Sequence, residues 1–163
     1  MRAHALAASA FAATLAACSP PDRAIWMAKN EPKMLPAIKA ATETLPVFWA
    51  VVDAQDPAVT ERLVKVGYPT RHGGVEYLWM DVAGHNPTRV RGRVANAPED
   101  VSDVHAGDNV SVEISKIADW AYRKNGKYFG QFTTRVMLEQ VDAKTRAEES
   151  QDLAPTPLEP TSH

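Results

Sequence analysis

Three arginines alternate along one short segment of the chain, at positions 89, 91 and 93. Because successive side chains of a β-strand point to opposite faces, a strand here would present Arg89, Arg91 and Arg93 on one face at intervals of about 6.6 Å. Planar guanidinium groups bind phosphates and carboxylates through paired hydrogen bonds. The stripe therefore predicts a surface for an anionic glycan, a lipid headgroup or an acidic protein. The alternative is a solvated strand face whose charges meet Glu113 or Glu76 across the sheet.

A second candidate lies at Asp119 and Trp120, just before a predicted hairpin. Together with Tyr122, Tyr128 and Phe132, these residues could line an aromatic groove that stacks on a sugar ring or a peptide. The alternative is a core position, since an aspartate beside a buried tryptophan often accepts backbone donors at a tight turn. The predicted partner face combines the arginine stripe with Asp119, Trp120 and Tyr122.

Catalytic and metal-binding patterns are not evident in the sequence. His72, His85 and His105 are far apart, have no cysteine partners and lack the spacing of a zinc site. The chain has no nucleophile elbow and no glycine-rich phosphate loop, and the adjacent acids at 99–100 stand beside a proline in a predicted loop. We therefore expect no metal, no cofactor and no enzymatic activity. An enzyme would need a cleft that gathers Asp119 with His72 or His105.

The single cysteine, Cys18, cannot close a disulfide within the chain, so it is lipidated, paired with another chain or free. The residues before it have the order of an export signal, with Arg2 followed by an apolar run. That run of about 13 residues is too short to cross a bilayer, which takes about 20. Residues 1–17 therefore read as a removable signal peptide.

The signal ends in Leu15-Ala16-Ala17-Cys18, which resembles the lipobox of bacterial lipoproteins. In that reading the thiol of Cys18 accepts a diacylglycerol and the leader is cut after Ala17. The alternative is an ordinary secretory signal, whose small-x-small motif would want a small residue in place of Leu15. Acyl chains on Cys18 would hold the protein to a membrane, and Ser19 is similar to the sorting pattern for the outer membrane. We expect a lipid-anchored protein of the cell envelope, on the outer membrane and facing the periplasm.

Length and charge limit the possibilities further. The chain has 163 residues, enough for one domain with extensions. Removing the leader leaves 17 basic and 20 acidic residues. A domain that binds nucleic acid usually carries a clear basic excess, so a nucleic-acid partner is not expected.

Hydrophobic periodicity predicts the elements that would position these residues. Apolar residues from Pro32 to Ala54 recur at spacings of three and four, which predicts two helical pieces separated near Pro46, with Thr44 capping the second. The apolar run 47–52 could instead be a buried strand. Alternation and turn signals predict the strands, including a hairpin around an Asn-Gly turn: Leu63–Tyr68, Val75–Ala83, Thr88–Ala95, Asn109–Ile114, 119–123 and 128–132.

A short helix is expected to close the domain near residue 149. The predicted class is α+β, with a small, strongly bent antiparallel sheet of five to six strands packed against the N-terminal helices and a short C-terminal helix. The expected organisation is a signal peptide, a lipidated cysteine with a tether, an α+β domain and a disordered proline-rich tail: 1–17, 18–30, 31–149 and 150–163.

Six short motifs occur in a characteristic order: Leu78–Val82, Gly92–Pro98, Ala106–Asp108, Ile117–Trp120, Asn125–Lys127 and Gly130–Arg135. Their order and spacing resemble the bacterial domain-of-unknown-function family 2314, which includes YegJ-like proteins, over roughly residues 34–141. One departure is Gln131, where a second glycine is expected. The family has no assigned reaction, so the resemblance implies a fold and no catalytic residues.

These observations predict a membrane-anchored periplasmic lipoprotein whose domain is a non-enzymatic binding module. Its partner would be an envelope protein or a cell-wall polymer. One alternative is a periplasmic inhibitor or immunity-type protein that neutralises a toxin or a hydrolase. Another is an enzyme that acts on an envelope substrate.

Overall fold

The computed structural model describes residues 32–160, so the predicted signal peptide, Cys18 and the tether lie outside the described residues. A 3-10 turn, Ile114–Lys116, precedes the fifth strand. In chain order the helices and strands are α1 Met34–Glu43, α2 Leu45–Ala54, β1 Val59–Pro69, β2 Val75–His85, β3 Arg89–Val94, β4 Asn109–Glu113, β5 Ile117–Lys124, β6 Lys127–Gly130, α3 Phe132–Leu138 and α4 Ala143–Glu149.

The six strands form one antiparallel sheet in the order β4-β3-β2-β1-β5-β6. With four helices among the described residues, the predicted α+β fold is confirmed. β1 and β2 occupy the two middle positions, which suits the sequence of β2, since it is apolar on both faces. Within residues 32–160, no further strand pairs with the outer edge of β4.

Helices α1 and α2 cover one face of the sheet and form the main core with it. The chain bends by 47° between the two helices. Pro46 lies in the first turn of α2, where a backbone N–H would have no acceptor within the helix, so the proline removes no helical hydrogen bond. The predicted break near Pro46 is confirmed, and the alternative strand over 47–52 is wrong. Thr44 precedes α2 but does not cap it, because its hydroxyl donates to the Ala40 carbonyl over 2.7 Å.

Side-chain burial explains why this pair of helices packs on the sheet. Ala41, Leu45, Phe48 and Val52 recur at spacings of three and four, and all are buried in the main core. No single helix in the described part of the chain is long and apolar enough to cross a membrane. Only α1 and α2 taken together, with the bend between them, reach that length and apolar composition.

The opposite face of the sheet carries a smaller apolar cluster formed by Leu63, Trp79, Ala121 and Tyr128. Leu153, from the segment after α4, packs against this cluster. The sheet is therefore apolar on both faces near β5, whereas the same face at β3 is lined with exposed arginines.

The segment 150–160 lies along β6, so the prediction of a disordered tail is wrong for these residues. The Tyr128 N–H donates to the Asp152 carbonyl over 2.7 Å, and the Ala154 N–H donates to the Tyr128 carbonyl over 2.8 Å. Ala154 is buried. The disorder prediction relied on amino-acid composition. Composition does not reveal this packing, because the hydrogen bonds join backbone groups of the segment to the open edge of β6, and backbone groups are present in any sequence.

The closing helix is divided into α3 and α4. Phe132, predicted as the end of a hairpin strand, is the first residue of α3. The chain leaves β6 through Gly130 and Gln131, which have φ angles of 74° and 54°. Two successive left-handed residues turn the chain out of the sheet, so the hairpin strand ends two residues earlier than its sequence pattern indicates.

Candidate functional site

Asp119 is completely buried and serves as the anchor of α3. Its carboxylate accepts the N–H groups of Phe132 and Thr133 at 3.1 and 2.8 Å, the Thr133 hydroxyl at 2.6 Å and the Trp120 N–H at 2.8 Å. The carboxylate thereby accepts from two of the free N–H groups at the start of α3. Asp119 therefore cannot form part of a partner face, and the interpretation that it accepts backbone donors at a turn agrees with the structure.

Lys65 on β1 is joined to Asp119 through Thr133. Its ammonium donates to the Thr133 hydroxyl oxygen over 2.9 Å and lies 4.6 Å from the centre of the Trp79 ring. Burial raises the pKa of Asp119, and the Lys65 charge and the hydrogen bonds from Thr133 oppose that rise. This buried group of Lys65, Asp119 and Thr133 ties α3 to the middle of the sheet.

Trp120 and Tyr122 are also buried, so the predicted aromatic groove is part of the core. Trp120 stacks on Phe48 with ring centres 5.6 Å apart and on Tyr122 at 5.9 Å. The Trp120 indole N–H donates to the Ala41 carbonyl over 2.9 Å. The prediction that Trp120 and Tyr122 contact a partner is contradicted, because both side chains are buried, Trp120 against Phe48 of α2 and Tyr122 against Phe129 of β6.

Tyr122 also contacts the C-terminal segment. Its hydroxyl donates to the Glu159 carboxylate over 2.9 Å. Burial raises the pKa of Tyr122, and the neighbouring carboxylate raises it further. The hydroxyl therefore stays protonated and acts as a structural donor.

The three arginines of the predicted stripe lie together on β3 and are all exposed. Their strand neighbours Val90 and Val94 are buried, so the arginines project from the face opposite the helices. The arginine half of the predicted partner face therefore exists as a surface. We call Arg89, Arg91 and Arg93, with the strand residues beside them, the arginine face.

Two of these arginines lie opposite an acidic residue. Arg93 is paired with Asp81 of β2 in the sheet register, and its guanidinium donates to the Gly107 carbonyl over 3.1 Å. Partial burial raises the pKa of Asp81, Glu61 raises it further and Arg93 opposes the rise. Arg89 is paired with Glu113 of β4. Asp81 therefore offsets part of the Arg93 charge, whereas Arg89 and Glu113 form no ion pair among the described residues, although they are partners in the register.

Arg91 differs from its neighbours because small residues flank it. Its register partners are Ser111 on β4 and Gly84 on β2. Gly84 follows an irregularity in the β2–β3 ladder, and an added Cβ there would lie 3.6 Å from the Arg91 Nη2 atom. The Arg91 backbone is paired in the sheet, but its side chain makes no hydrogen bond or ion pair within residues 32–160. Its guanidinium lies over Gly84 with donors free for a partner.

Glu76, the second acid proposed to meet the stripe, does not reach it. Its carboxylate accepts the N–H groups of Glu99 and Asp100 at 2.7 and 2.9 Å. The acids at 99–100 are therefore held by a structured loop. Asp100 also accepts a hydrogen bond from His72 at 2.9 Å, and this bond holds the pKa of Asp100 below its usual range.

The structure does not gather the histidines around Asp119. His72 is bonded to Asp100, and His105 lies 3.3 Å from Asp108. His85 stacks on Trp49 of α2. In the described part of the chain, no group of three or more metal-binding side chains is present.

Sequence reasoning missed the importance of Gly84, Ser111 and Lys65. A glycine inside a strand pattern is a sign of a bulge or of a close approach, so Gly84 carried a signal. Ser111 could be recognised only once β4 was paired with β3. Lys65 had no comparable signal, because an alternating strand normally places a lysine in solvent.

Comparisons with known proteins identify the family of this chain. The family described as an uncharacterized protein conserved in bacteria, domain-of-unknown-function family 2314, matches residues 31–154. A putative ankyrin repeat protein of Neisseria meningitidis serogroup B is 30% identical over 73 residues, which cover 45% of this chain and 29% of that protein. The uncharacterized protein YegJ of Escherichia coli is 26% identical over 105 residues, which cover 64% of this chain and 67% of that protein.

No solved structure shows a significant match to this chain. The family match ends at residue 154, so it includes the residues that lie along β6. The first relative is much longer than the matched region, and the chain spans less than a third of it. Since the family match covers well over half of the sequence, the chain belongs to domain-of-unknown-function family 2314.

Proposed function

We propose that this protein is a lipid-anchored domain of the bacterial cell envelope that binds a negatively charged partner through the arginine face and catalyses no reaction. The partner is an envelope protein or a cell-wall polymer on the periplasmic side. The observation that carries the proposal is the exposure of three arginines on β3, on the sheet face opposite α1 and α2. Arg91 is the centre of this site because its charge faces Gly84 and Ser111 rather than an acid.

Energetic considerations support a binding role for Arg91. A guanidinium group on an exposed strand loses little hydration until a partner covers it, and it then makes charge-assisted hydrogen bonds. Such bonds contribute about 1.5–3 kcal/mol each when the partner is charged. The proposed anchor on Cys18 would keep the arginine face close to a membrane, which raises the local concentration of any envelope partner.

The proposed anchor is tested by changing the thiol. Native full-length protein should fractionate with membranes, and mass spectrometry of its N-terminal peptide should find Cys18 acylated. Cys18→Ser should remove the acylation, because a hydroxyl does not replace the thiol, whereas Ser19→Ala should remain acylated. An unacylated Cys18 in the native protein, or a leader still attached, would refute the anchor.

The proposed face is tested by photocrosslinking in intact cells. A photoreactive amino acid at position 109, an exposed site on β4 opposite Arg93, should give a discrete adduct in the full-length protein, and the same amino acid at position 144 on α4 should not. Arg91→Glu should lower the yield of the adduct about tenfold, as expected for the loss of one charge-assisted bond. Lys144→Glu changes the charge equally on an exposed helix and should leave the yield unchanged. Equal yields from both variants would show that the partner binds elsewhere.

A further inference from the structure

A groove of about 350 Å³ lies between α1, the end of β1 and the start of β5. In this region β1 extends beyond β5, whose first residue, Ile117, is paired with Val66. The groove is lined by Ile38 of α1 and by Val75 and Tyr77 of β2, among others. Its surface is therefore mainly apolar.

Two large apolar side chains are exposed at this groove. Val75 lines it and is 51% exposed, and Leu35, one helical turn before Ile38, is 72% exposed. Single exposed apolar residues are common, whereas a continuous apolar patch marks a surface that contacts a protein or a membrane. Of the three large apolar residues that are exposed in the described part of the chain, two lie here and the third is Val47.

The charge beside the groove is positive. Lys116 lines the groove, is exposed and makes no ion pair within residues 32–160. No acidic residue of the described part of the chain lines it. An apolar surface with a basic rim suits an anionic lipid bilayer, because the apolar side chains enter the interface and the lysine reaches the headgroup phosphates.

The chain that leads to this groove comes from the proposed anchor. Residues 19–31 join Cys18 to Pro32, and thirteen residues span at most about 45 Å. Leu35 and Ile38 lie in the first two turns of α1, directly after this segment. A lipid on Cys18 would therefore hold this end of the domain close to the bilayer, at a high local concentration.

We infer that the groove and the residues around it form a surface that docks on the lipid bilayer. We call this surface the docking end, and it consists of Leu35, Ile38, Val75, Tyr77 and Lys116. The inference rests on the lipid anchor of the proposed function. It adds the orientation of the anchored domain, which a single attachment at Cys18 does not fix.

This orientation leaves the arginine face accessible. Val75 precedes Asp81, the partner of Arg93, by six residues, and it precedes Gly84, the partner of Arg91, by nine residues. At about 3.3 Å per residue, these arginines lie about 20–30 Å from Val75 along β2. A domain that docks through Val75 therefore keeps them available to a partner.

The docking end is tested by fluorescence of the full-length lipidated protein in vesicles of phosphatidylcholine with one quarter phosphatidylglycerol. Val75→Cys introduces a thiol for a nitrobenzoxadiazole label, since Cys18 is the one cysteine of the chain and acylation blocks its thiol. Val47→Cys is the matched control, because Val47 is also a valine and is 45% exposed on α2. Lipids that carry a nitroxide quench a label that lies in the bilayer interface.

We expect the nitroxide lipids to quench the label at position 75 several-fold more strongly than the label at position 47. Leu35→Glu should lower the ratio of docked to undocked protein about tenfold, because it replaces an apolar contact with a charge that the anionic headgroups repel. Thr60→Glu makes the same change of charge at an exposed position near the other end of β1 and should leave the ratio unchanged.

The contribution of the lysine is measured separately. Lys116→Gln should lower the ratio of docked to undocked protein about fivefold in these vesicles, the effect of one lysine at an anionic surface. It should have little effect in vesicles of phosphatidylcholine alone. Circular dichroism of each variant identifies any loss of fold.

The outcomes separate this inference from the anchor. Equal quenching at positions 75 and 47, or no quenching at position 75 in protein whose Cys18 is acylated, would overturn the docking end and leave the anchor standing. A blue-shifted label at position 75 that the nitroxide lipids do not quench would also overturn it, since protein would then fill the groove. An unacylated Cys18 in the native protein would refute the anchor and the inference together.

Discussion

Asp119→Ala should lower the free energy of unfolding by about 3–5 kcal/mol, because each buried donor left without its acceptor costs about 1–3 kcal/mol. The substitution leaves the N–H groups of Trp120, Phe132 and Thr133 without their acceptor and the Lys65 ammonium without its nearby carboxylate. The free energy of unfolding of a domain is about 5–15 kcal/mol, so this loss would remove a large part of the stability of the domain. Urea unfolding followed by circular dichroism measures it.

Asp142→Ala provides a matched control. Asp142 also caps a helix, with its carboxylate accepting the N–H groups of Lys144 and Thr145 at 3.0 Å. These bonds are exposed to solvent, and loss of an exposed cap costs about 1 kcal/mol. Equal losses from the two aspartates would show that the burial of Asp119 has no energetic consequence, contrary to our interpretation.

Gly130→Ala should lower the free energy of unfolding by about 2–5 kcal/mol through strain and overpacking. Gly130 has a φ of 74°, and an added Cβ would lie 2.2 Å from the Trp120 carbonyl oxygen and 2.5 Å from the Trp120 Cε3 atom. Because the oxygen belongs to the paired strand, the β5–β6 ladder must open or the indole must leave its stacked position. Denaturant unfolding gives the change in stability, and near-ultraviolet circular dichroism reports the tryptophan.

Gly126→Ala isolates the backbone contribution of this change. Gly126 has a similar φ of 77°, but an added Cβ would meet nothing within 4 Å. Its cost is therefore the left-handed conformation alone, about 1–2 kcal/mol. If the two alanine variants were equally stable, the close approach of Gly130 to Trp120 would not contribute.

The sequence predicted the fold class because its strand patterns are regular and its turns carry strong local signals. The Asn125-Gly126 turn is present between β5 and β6, and the break at Pro46 follows from proline chemistry. The segment 150–160 could not be predicted, since its position depends on backbone groups of β6 that are remote in sequence.

For the candidate site, the position of the arginines was predicted correctly and that of the aromatic residues was not. A two-residue period is enough to place Arg89, Arg91 and Arg93 on one face, and they are there. The same period says nothing about which face is covered, so Trp120 and Tyr122 were assigned to the surface although α2 lies on them. The irregularity beside Gly84 and the pairing of Ser111 arise from strand register, which depends on contacts across the sheet.

The occupied edge of the sheet limits how copies of this protein can associate. The backbone of β6 is bonded to residues 152 and 154, while β4 has no outer neighbour within residues 32–160. Continuous fibres grow by strand addition only when each molecule offers two open edges. With a single open edge among the described residues, strand addition between copies would stop at a symmetric pair, so the C-terminal segment limits polymerisation of the domain.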